Sequence, residues 1–513
     1  MTRVLLIHPP VSKPGEPPAG VARLCGALHQ NGISCTAVDA NLEGVHFLLG
    51  LPVRSDDAWT LNASRSVGRK IHELRSGSAF KSIGHYNRIV NDLNRLLSVH
   101  GGKTGYALGL VDLTHPVLSP LRSRDLIRCA ENPENDAFYE YYSSVLLPAI
   151  VKQEPDVVGI SVNFLSQALS SFALVGLIRK RMPGLPVVLG GGLITSWMRN
   201  PAWKNPFTGL VDVCVAGPGE PYFLSRFGID TAEGSAAPLY AGMENLPYLS
   251  PGFVLPYDAS SGCWWRQCRF CPEPAEGNPY RPVPDLRVLS DLALLKKKTN
   301  PSLVHFLDNA LAPSLLESLA ESPPGAPWYG YVRFTEHLLD QDFCVRLRKS
   351  GCNMLKLGLE SGDQGVLDKM GKGIRIGAAS RILRNLEKSL IPTYVYLLFG
   401  TPYELEAEAL KTMTFAANHA SGIGFLNAAI FNMPITSLEA AGLSTRLFFD
   451  GDLSLYADFE HPVGWDRRKV RNFIDKTFRR HPAIAPILAR TPKFFTSNHA
   501  PFFCMDRKNR ISA

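Results

Sequence analysis

Short apolar runs, each ended by glycine or proline, set the rhythm of this chain. Val4-Leu5-Leu6-Ile7 is the first; His8-Pro9-Pro10 stops it, and it reads as a buried strand. Beyond a Pro-rich loop at 14–18, residues 19–31 put Val21, Leu24, Cys25 and Leu28 on one helical face. Gly32 closes that helix, and 34–38 reads as a second strand. The alternation breaks over 43–150, a mixed and partly helical insertion rich in Tyr and Leu near 138–150. It resumes with strands at 156–162, 186–189 and 211–215 and a helix over 166–182. The last two strands open into Gly190-Gly191-Gly192 and Gly217-Pro218-Gly219-Glu220. This order predicts a doubly wound parallel sheet, whose ligands bind where the strands end in loops.

Residues 229–252, with Pro238, Pro247, Pro251 and Gly252, read as a linker. A second alternating region follows. Its strands are expected at 303–307, 329–333, 354–359, 393–399 and 425–431, and its helices at 285–297, 313–320, 338–349, 377–389 and 404–418. Evenly spaced strand–helix units of this kind predict a partial β/α, TIM-like barrel. The expected α/β organisation is a Rossmann-like domain over 1–235 carrying the insertion at about 43–150, a barrel domain over 251–440, and a small helical cap over 441–513.

Composition changes this picture little. The 513 residues are 45% apolar and 19% charged, which suits a globular chain that buries its own core and argues against disorder. The net charge of +8 is mild at this length. No apolar run reaches the roughly 18 residues of a membrane span. The run from Val4 to Ile7 is too short for a secretory signal, so the expected setting is the cytoplasm, with no membrane partner. No basic run interleaved with aromatics marks a nucleic-acid groove. Gly101-Gly102-Lys103-Thr104 has Leu97 where a phosphate loop needs glycine.

The cysteines carry the chemistry. Seven of the ten are scattered, whereas Cys263, Cys268 and Cys271 crowd into nine residues of Ser261-Gly262-Cys263-Trp264-Trp265-Arg266-Gln267-Cys268-Arg269-Phe270-Cys271-Pro272. In a reducing compartment such crowding points to metal or redox chemistry. Three thiolates in one loop suit three irons of a cubane cluster, with the fourth iron left open. Structural zinc is the alternative, but it takes four ligands, and the next candidates, His305, Cys344 and Cys352, are distant in sequence.

This segment resembles the cluster loop of radical S-adenosylmethionine enzymes. That loop is Cys-x3-Cys-x2-Cys with an aromatic before the last cysteine; Phe270 fits, and the first gap here is four residues. The run from Leu357 through Glu360 and Ser361 to Gly373 resembles the family's fourth strand and following helix, where the glutamate lies by the S-adenosylmethionine. Gly400-Thr401-Pro402 is similar to the turn after its fifth strand, and Phe306-Leu307-Asp308-Asn309 to its second strand end. The resemblance spans about 251–440. It implies a [4Fe-4S] cluster on Cys263, Cys268 and Cys271, and S-adenosylmethionine beside Phe270, Asp308, Arg333, Glu360, Ser361 and Gly400. Plainer readings stand beside these. Asp308 as a cap, Glu360 as a salt-bridge partner, Arg333 as a core-edge ion pair and the two tryptophans as packing all remain open.

The front domain resembles the cobalamin-binding domain of a large class of these enzymes. The parallels are Leu6-Ile7-His8-Pro9-Pro10, Gly159-Ile160-Ser161, Gly190-Gly191-Gly192 and Gly217-Pro218-Gly219-Glu220. Pro10, Ser161, Gly191, Gly192, Gly217 and Glu220 are the implied cobalamin residues, since small residues after strands let a corrin approach the backbone. A domain that keeps the fold and binds nothing is the alternative. The cobalt-ligating Asp-x-His-x-x-Gly string is absent, and Asp39-Ala40-Asn41-Leu42-Glu43-Gly44 copies only its spacing. The resemblance implies a radical enzyme methylating an unactivated carbon of a small molecule or peptide, fed by an electron donor such as flavodoxin or ferredoxin. A radical cyclase or rearrangement enzyme is the first alternative, and a metal-stabilised binding protein the second. No residue is assigned to catalysis itself.

Overall fold

The computed structural model describes residues 3–229, 236–492 and 499–504. Two compact units divide the chain: residues 1–252 with 449–455, and residues 253–448 with 456–513. Among the described residues no helix is long and apolar enough to cross a membrane.

The first unit is built on five parallel strands: β1 (Arg3–His8), β2 (Ser34–Asp39), β3 (Val157–Ser161), β4 (Val187–Gly190) and β5 (Val213–Cys214). Their order is β2-β1-β3-β4-β5, all parallel, so the winding of the chain across the sheet reverses between β1 and β3. Such a switch point leaves a crevice at the carboxyl ends of the two strands, where open α/β sheets bind ligands. β1, β3 and β4 are continuous, mostly buried apolar runs because both faces of the sheet's centre are covered, whereas the edge strands β2 and β5 are only part-buried.

The unit's helices include α1 (Ala19–Gln30), α2 (Ala40–Gly50), α3 (Ile83–Gly102), α4 (Ser123–Glu131) and α5 (Leu165–Arg181). Every residue of α5 from Gln167 to Ile178 is buried. A helix hydrophobic all round needs cover on both sides. The 43–150 insertion provides it, with α4 lying along α5 so closely that a Cβ on Gly176 would overlap the Ala130 carbonyl. The insertion thus completes the core. Gly101 and Gly102 end α3 rather than join a strand to a helix, which agrees with rejecting a phosphate loop.

Residues 236–252 are not a free linker. Leu239 N donates to Ala22 O (2.8 Å) and Leu249 N to Pro14 O (2.8 Å), and Tyr240, Met243, Tyr248 and Leu249 are buried. Residues 230–235 of the expected linker lie outside the described residues.

The second unit holds six parallel strands in sequence order: β6 (Val254–Tyr257), β7 (Leu303–Phe306), β8 (Trp328–Val332), β9 (Cys352–Glu360), β10 (Thr393–Phe399) and β11 (Ile423–Ile430). The sheet is open, as a partial barrel is. Helices α6 (Asp285–Thr299), α7 (Pro313–Glu321), α8 (Gln341–Lys349), α9 (Gln364–Lys369), α10 (Ile376–Lys388) and α11 (Glu406–Asn418) link the strands. Helix α8 begins three residues later than expected, at the Asp340 cap, after a short 3-10 turn at Glu336–Leu339. After residue 430, helices α12 (Arg467–Lys476) and α13 (Ala485–Arg490) accompany three short antiparallel strands, β12 (Met433–Pro434), β13 (Thr445–Leu447) and β14 (Tyr456–Phe459). That small sheet carried no signal strong enough to be expected.

Candidate active site

The cysteine loop leaves the carboxyl end of β6. Asp308, just past β7, holds its entry: its carboxylate accepts from Ala259 N (3.0 Å) and from the Ser260 hydroxyl. Burial pushes the Asp308 carboxyl up to about 6, partly offset by those two donors. Asp308 therefore anchors the preceding loop rather than capping the segment after it. Gly262 has φ +73, and a Cβ there would meet Pro279 O at 2.5 Å. Only glycine suits both conditions. Asn309 Nδ2 then donates to Gly262 O (3.3 Å) and Trp264 Nε1 to Leu311 O (3.3 Å).

A second segment, Met370 to Gly373, docks against the loop. Arg269 N donates to Met370 O (3.0 Å) and Trp265 Nε1 to Gly371 O (2.9 Å). A Cβ on Gly371 would overlap Gln267 O, and one on Gly373 the Trp265 ring. Arg333, at the end of β8, closes the assembly. Its Nη1 lies 3.8 Å from Cys268 Sγ, its Nη2 donates to Lys372 O, and its guanidinium sits 4.3 Å over Trp265 and 5.5 Å over Trp264. Both tryptophans thus stack on a cation beside the thiols.

None of the ten cysteines forms a disulfide. Burial pushes the Cys271 thiol up to about 12, and Cys268 and Cys263 add to the rise through their own charge, so the three thiols feel one another. Burial also raises Cys268, while Lys372 and Arg333 pull it back. Among the described residues no three His, Cys, Asp or Glu side chains converge as a closed metal-ligating group. The donor chemistry still fits an iron–sulfur cluster: three free thiols on one loop, with two cations at the most buried of them to offset an anionic centre.

Glu360 ends β9 at φ +66, beside a register shift between Gly358 and Glu360. Its Oε1 accepts from Lys372 Nζ at 2.8 Å, and the two side chains are only 12% and 8% exposed. Lys372 Nζ also lies 5.3 Å over the Phe270 ring. Phe270 in turn packs on Phe431, Met433 and Ala457. Ser361 is fully buried and shares its hydroxyl with Thr412 (3.2 Å) and with Asp363 N (3.1 Å), tying the strand end to α11. Gly400, at φ +80, donates its N–H to Glu404 (2.6 Å).

In the first unit Pro10, Ser161, Gly191, Gly192, Gly217 and Glu220 all lie at the carboxyl end of the five-stranded sheet. The loop after β1 is stitched down: Gln167 Nε2 donates to Pro9 O (2.6 Å), Ser166 Oγ to Val11 O (2.8 Å), and Asn41 holds both the N–H and the carbonyl of Ser12. His8 Nε2 pairs with Ser12 Oγ (2.7 Å), and burial pushes the imidazole down to about 4. Ser161 Oγ accepts from Asn163 Nδ2 (3.1 Å). Gly191 has φ +101 and crowds Val162, whereas a Cβ on Gly217 would meet nothing within 4 Å. Glu220 is spent on Arg23 (2.6 Å). Phe164, between Ser161 and α5, is 54% exposed. Bare backbone at Gly217 and an exposed aromatic at the switch point fit a large planar ligand resting on the strand ends. Asp39 caps α2 through Leu42 N (2.9 Å), a structural role for the first residue of the Asp39–Gly44 string.

No protein-family profile matches the chain. A curated relative, an uncharacterized methyltransferase of Pyrococcus horikoshii, is 22% identical over 354 residues, which are 61% of this chain and 74% of the relative. The radical S-adenosylmethionine methyltransferase TsrM of Kitasatospora setae, solved with cobalamin and a [4Fe-4S] cluster, superposes over 100% of both chains with a TM-score of 0.57 at 15% identity. The fold is that of the cobalamin-dependent radical S-adenosylmethionine enzymes. OxsB, solved with aqua-cobalamin and S-adenosylmethionine, matches all of this chain with a TM-score of 0.54 at 12% identity. This chain spans 61% of the OxsB chain.

Against that fold, the residues expected from sequence fall at the carboxyl ends of the two sheets. What sequence reasoning missed are their partners. Lys372, Ser260, Thr412 and the glycines at 371 and 373 complete the second-unit site through contacts distant along the chain. Lys372-Gly373 stood inside the motif after β9, yet nothing in the string showed that its amine returns to Glu360.

Proposed function

We propose that the chain is a cobalamin-dependent radical S-adenosylmethionine enzyme that methylates an unactivated carbon of a small molecule or peptide. The observation that carries this reading is the cysteine loop itself. Three free thiols leave the carboxyl end of a parallel sheet, with Arg333 and Lys372 at Cys268 and Glu360 held by the same lysine. The full-length likeness to TsrM supports it.

In this reading Cys263, Cys268 and Cys271 hold the cluster, and Arg333, Glu360, Gly400 and Phe270 border the S-adenosylmethionine. Pro10, Ser161, Gly191, Gly192 and Gly217 border the cobalamin. Asp308, Ser361 and Glu220 are already hydrogen-bonded or ion-paired within the fold, so they position their neighbours. When bound, the cluster supplies one-electron cleavage of S-adenosylmethionine to a carbon radical, and cobalamin supplies a methyl carrier. The protein's part is to keep water from the thiols with Trp264, Trp265 and Phe270, and to balance charge with Arg333 and Lys372. Ten cysteines without a disulfide suit the cytoplasm. The electron comes from a carrier such as flavodoxin or ferredoxin.

The test is nucleoside product analysis by mass spectrometry after anaerobic reconstitution with iron, sulfide and cobalamin, using S-adenosylmethionine and a strong reductant. 5′-Deoxyadenosine together with cobalamin-dependent S-adenosylhomocysteine is the expected result. 5′-Deoxyadenosine alone supports a cyclase or rearrangement enzyme, and neither product sinks the radical reading.

A further inference from the structure

Residues 466–480, helix α12 and the turn after it, hold seven Lys and Arg against two Asp. That net +5 in fifteen residues is most of the +8 of the whole chain. Val470, Phe473 and Ile474 bury the inner face of α12, while Arg468, Lys469, Arg471, Lys476, Arg479 and Arg480 are exposed. Among the described residues Arg468, Arg471, Lys476 and Arg480 make no ion pair. Arg467, Arg468 and Lys469 also fill the first helical turn, where the helix dipole disfavours cations, and no acidic residue shares that turn. The Asp466 cap, whose carboxylate accepts from Lys469 N (2.8 Å), offsets part of that charge; the cations left over on the solvent face suit an anionic partner.

The patch is linked to the cysteine loop within the same unit. Arg467 Nη1 donates to Phe431 O (3.0 Å), Phe431 belongs to the cluster on which Phe270 packs, and Phe270 precedes Cys271. We propose that the exposed cationic face of α12 and its following turn is the docking surface for a small acidic electron-carrier protein that reduces the cluster. The proposal rests on the cluster reading above. Its step is balanced: the carrier loses one electron, the cluster gains it, and no bond or proton is exchanged. Charge complementarity selects the partner by steering encounter. A nucleic-acid strand is the other polyanion, but Trp465, Phe473 and Phe478 are buried, so the patch lacks a stacking platform.

The test uses the full chain with reconstituted cluster. Bleaching of the cluster's visible absorbance by reduced flavodoxin is followed by stopped flow, with dithionite as a reductant that needs no docking. The wild-type flavodoxin rate should fall steeply with salt, and R468Q/R471Q/R480Q should lower it at least tenfold at low salt. The extent of dithionite reduction should be unchanged in that variant. An unchanged flavodoxin rate beside normal dithionite bleaching overturns the docking proposal alone. A wild-type protein with no dithionite-bleachable iron chromophore overturns the cluster reading and this proposal together. A variant that loses retention of single-stranded RNA but keeps its flavodoxin rate shows a nucleic-acid surface and also overturns it.

Discussion

Lys372 Nζ and Glu360 Oε1 meet at 2.8 Å with almost no solvent around them, and Gly358 leaves the space in which they do so. A Cβ on Gly358 would stand 2.5 Å from the carboxylate and 2.9 Å from the amine. The strand end, the segment that clamps the cysteine loop and the ring of Phe270 are therefore joined through one ion pair.

Removing one partner of a buried pair leaves the other charged and desolvated. Lys372→Met should destabilise the protein by on the order of 3 kcal/mol. Pairing it with Glu360→Gln should recover much of that loss, because no lone charge remains. Thermal unfolding of the wild type, both single variants and the double variant checks this; additive losses would mean the two side chains are not coupled.

The glycines of the clamp are expected to matter through iron retention. Gly373→Ala sets a Cβ into the Trp265 ring at a backbone φ of +67, so the loop must shift. Iron bound per chain after anaerobic reconstitution should fall well below the wild-type value. Gly377→Ala is the control, since its Cβ would meet nothing within 4 Å and it lies in α10. That change should keep the iron and add roughly 0.5–1 kcal/mol of stability.

Glu404 gives the fold a pH dependence. Burial pushes its carboxyl up to about 8, only partly offset by the Gly400 N–H; the Trp465 indole lies beside it without closing a hydrogen bond. The folded chain therefore keeps a proton that the unfolded chain releases near 4.5. Stability should be full below about pH 4.5, decline as pH rises towards 8 and level off above that. The loss from this one group is on the order of several kcal/mol. Glu404→Gln, which stays neutral, should remove that component of the decline, as read from denaturant midpoints between pH 5 and 8.

Local features were legible in the sequence and distant pairings were not. Strands β7 and β10 announced themselves because parallel strands covered on both faces are near-continuous apolar runs, and β9 and β11 because their apolar residues still outnumber the polar ones. Val254–Tyr257 escaped because Pro256 interrupts it. The structure shows why proline is tolerated there: β6 is an edge strand, paired only with β7. The thiols were legible because three cysteines fall within nine residues. Asp308 to Ser260 spans 48 residues and Arg333 to Cys268 spans 65, and no local pattern encodes either. The strands at 433–459 are two to four residues long, too short for alternation to register.

Arg333 yields the sharpest contrast between charge and shape. Its guanidinium meets Cys268 Sγ, the Lys372 carbonyl and the Trp265 face at once, which takes a planar group with several donors. Lysine keeps the charge but cannot make all three contacts. Arg333→Lys should therefore retain a cluster with a near-normal reduction potential yet lose iron faster on dilution. Arg333→Gln also removes a positive charge beside a thiolate ligand, so its cluster should be harder to reduce, with a more negative potential. An anaerobic EPR-monitored redox titration, run with a timed iron-release assay, separates the two effects. Equal potentials in all three proteins would show that Arg333 acts only by packing.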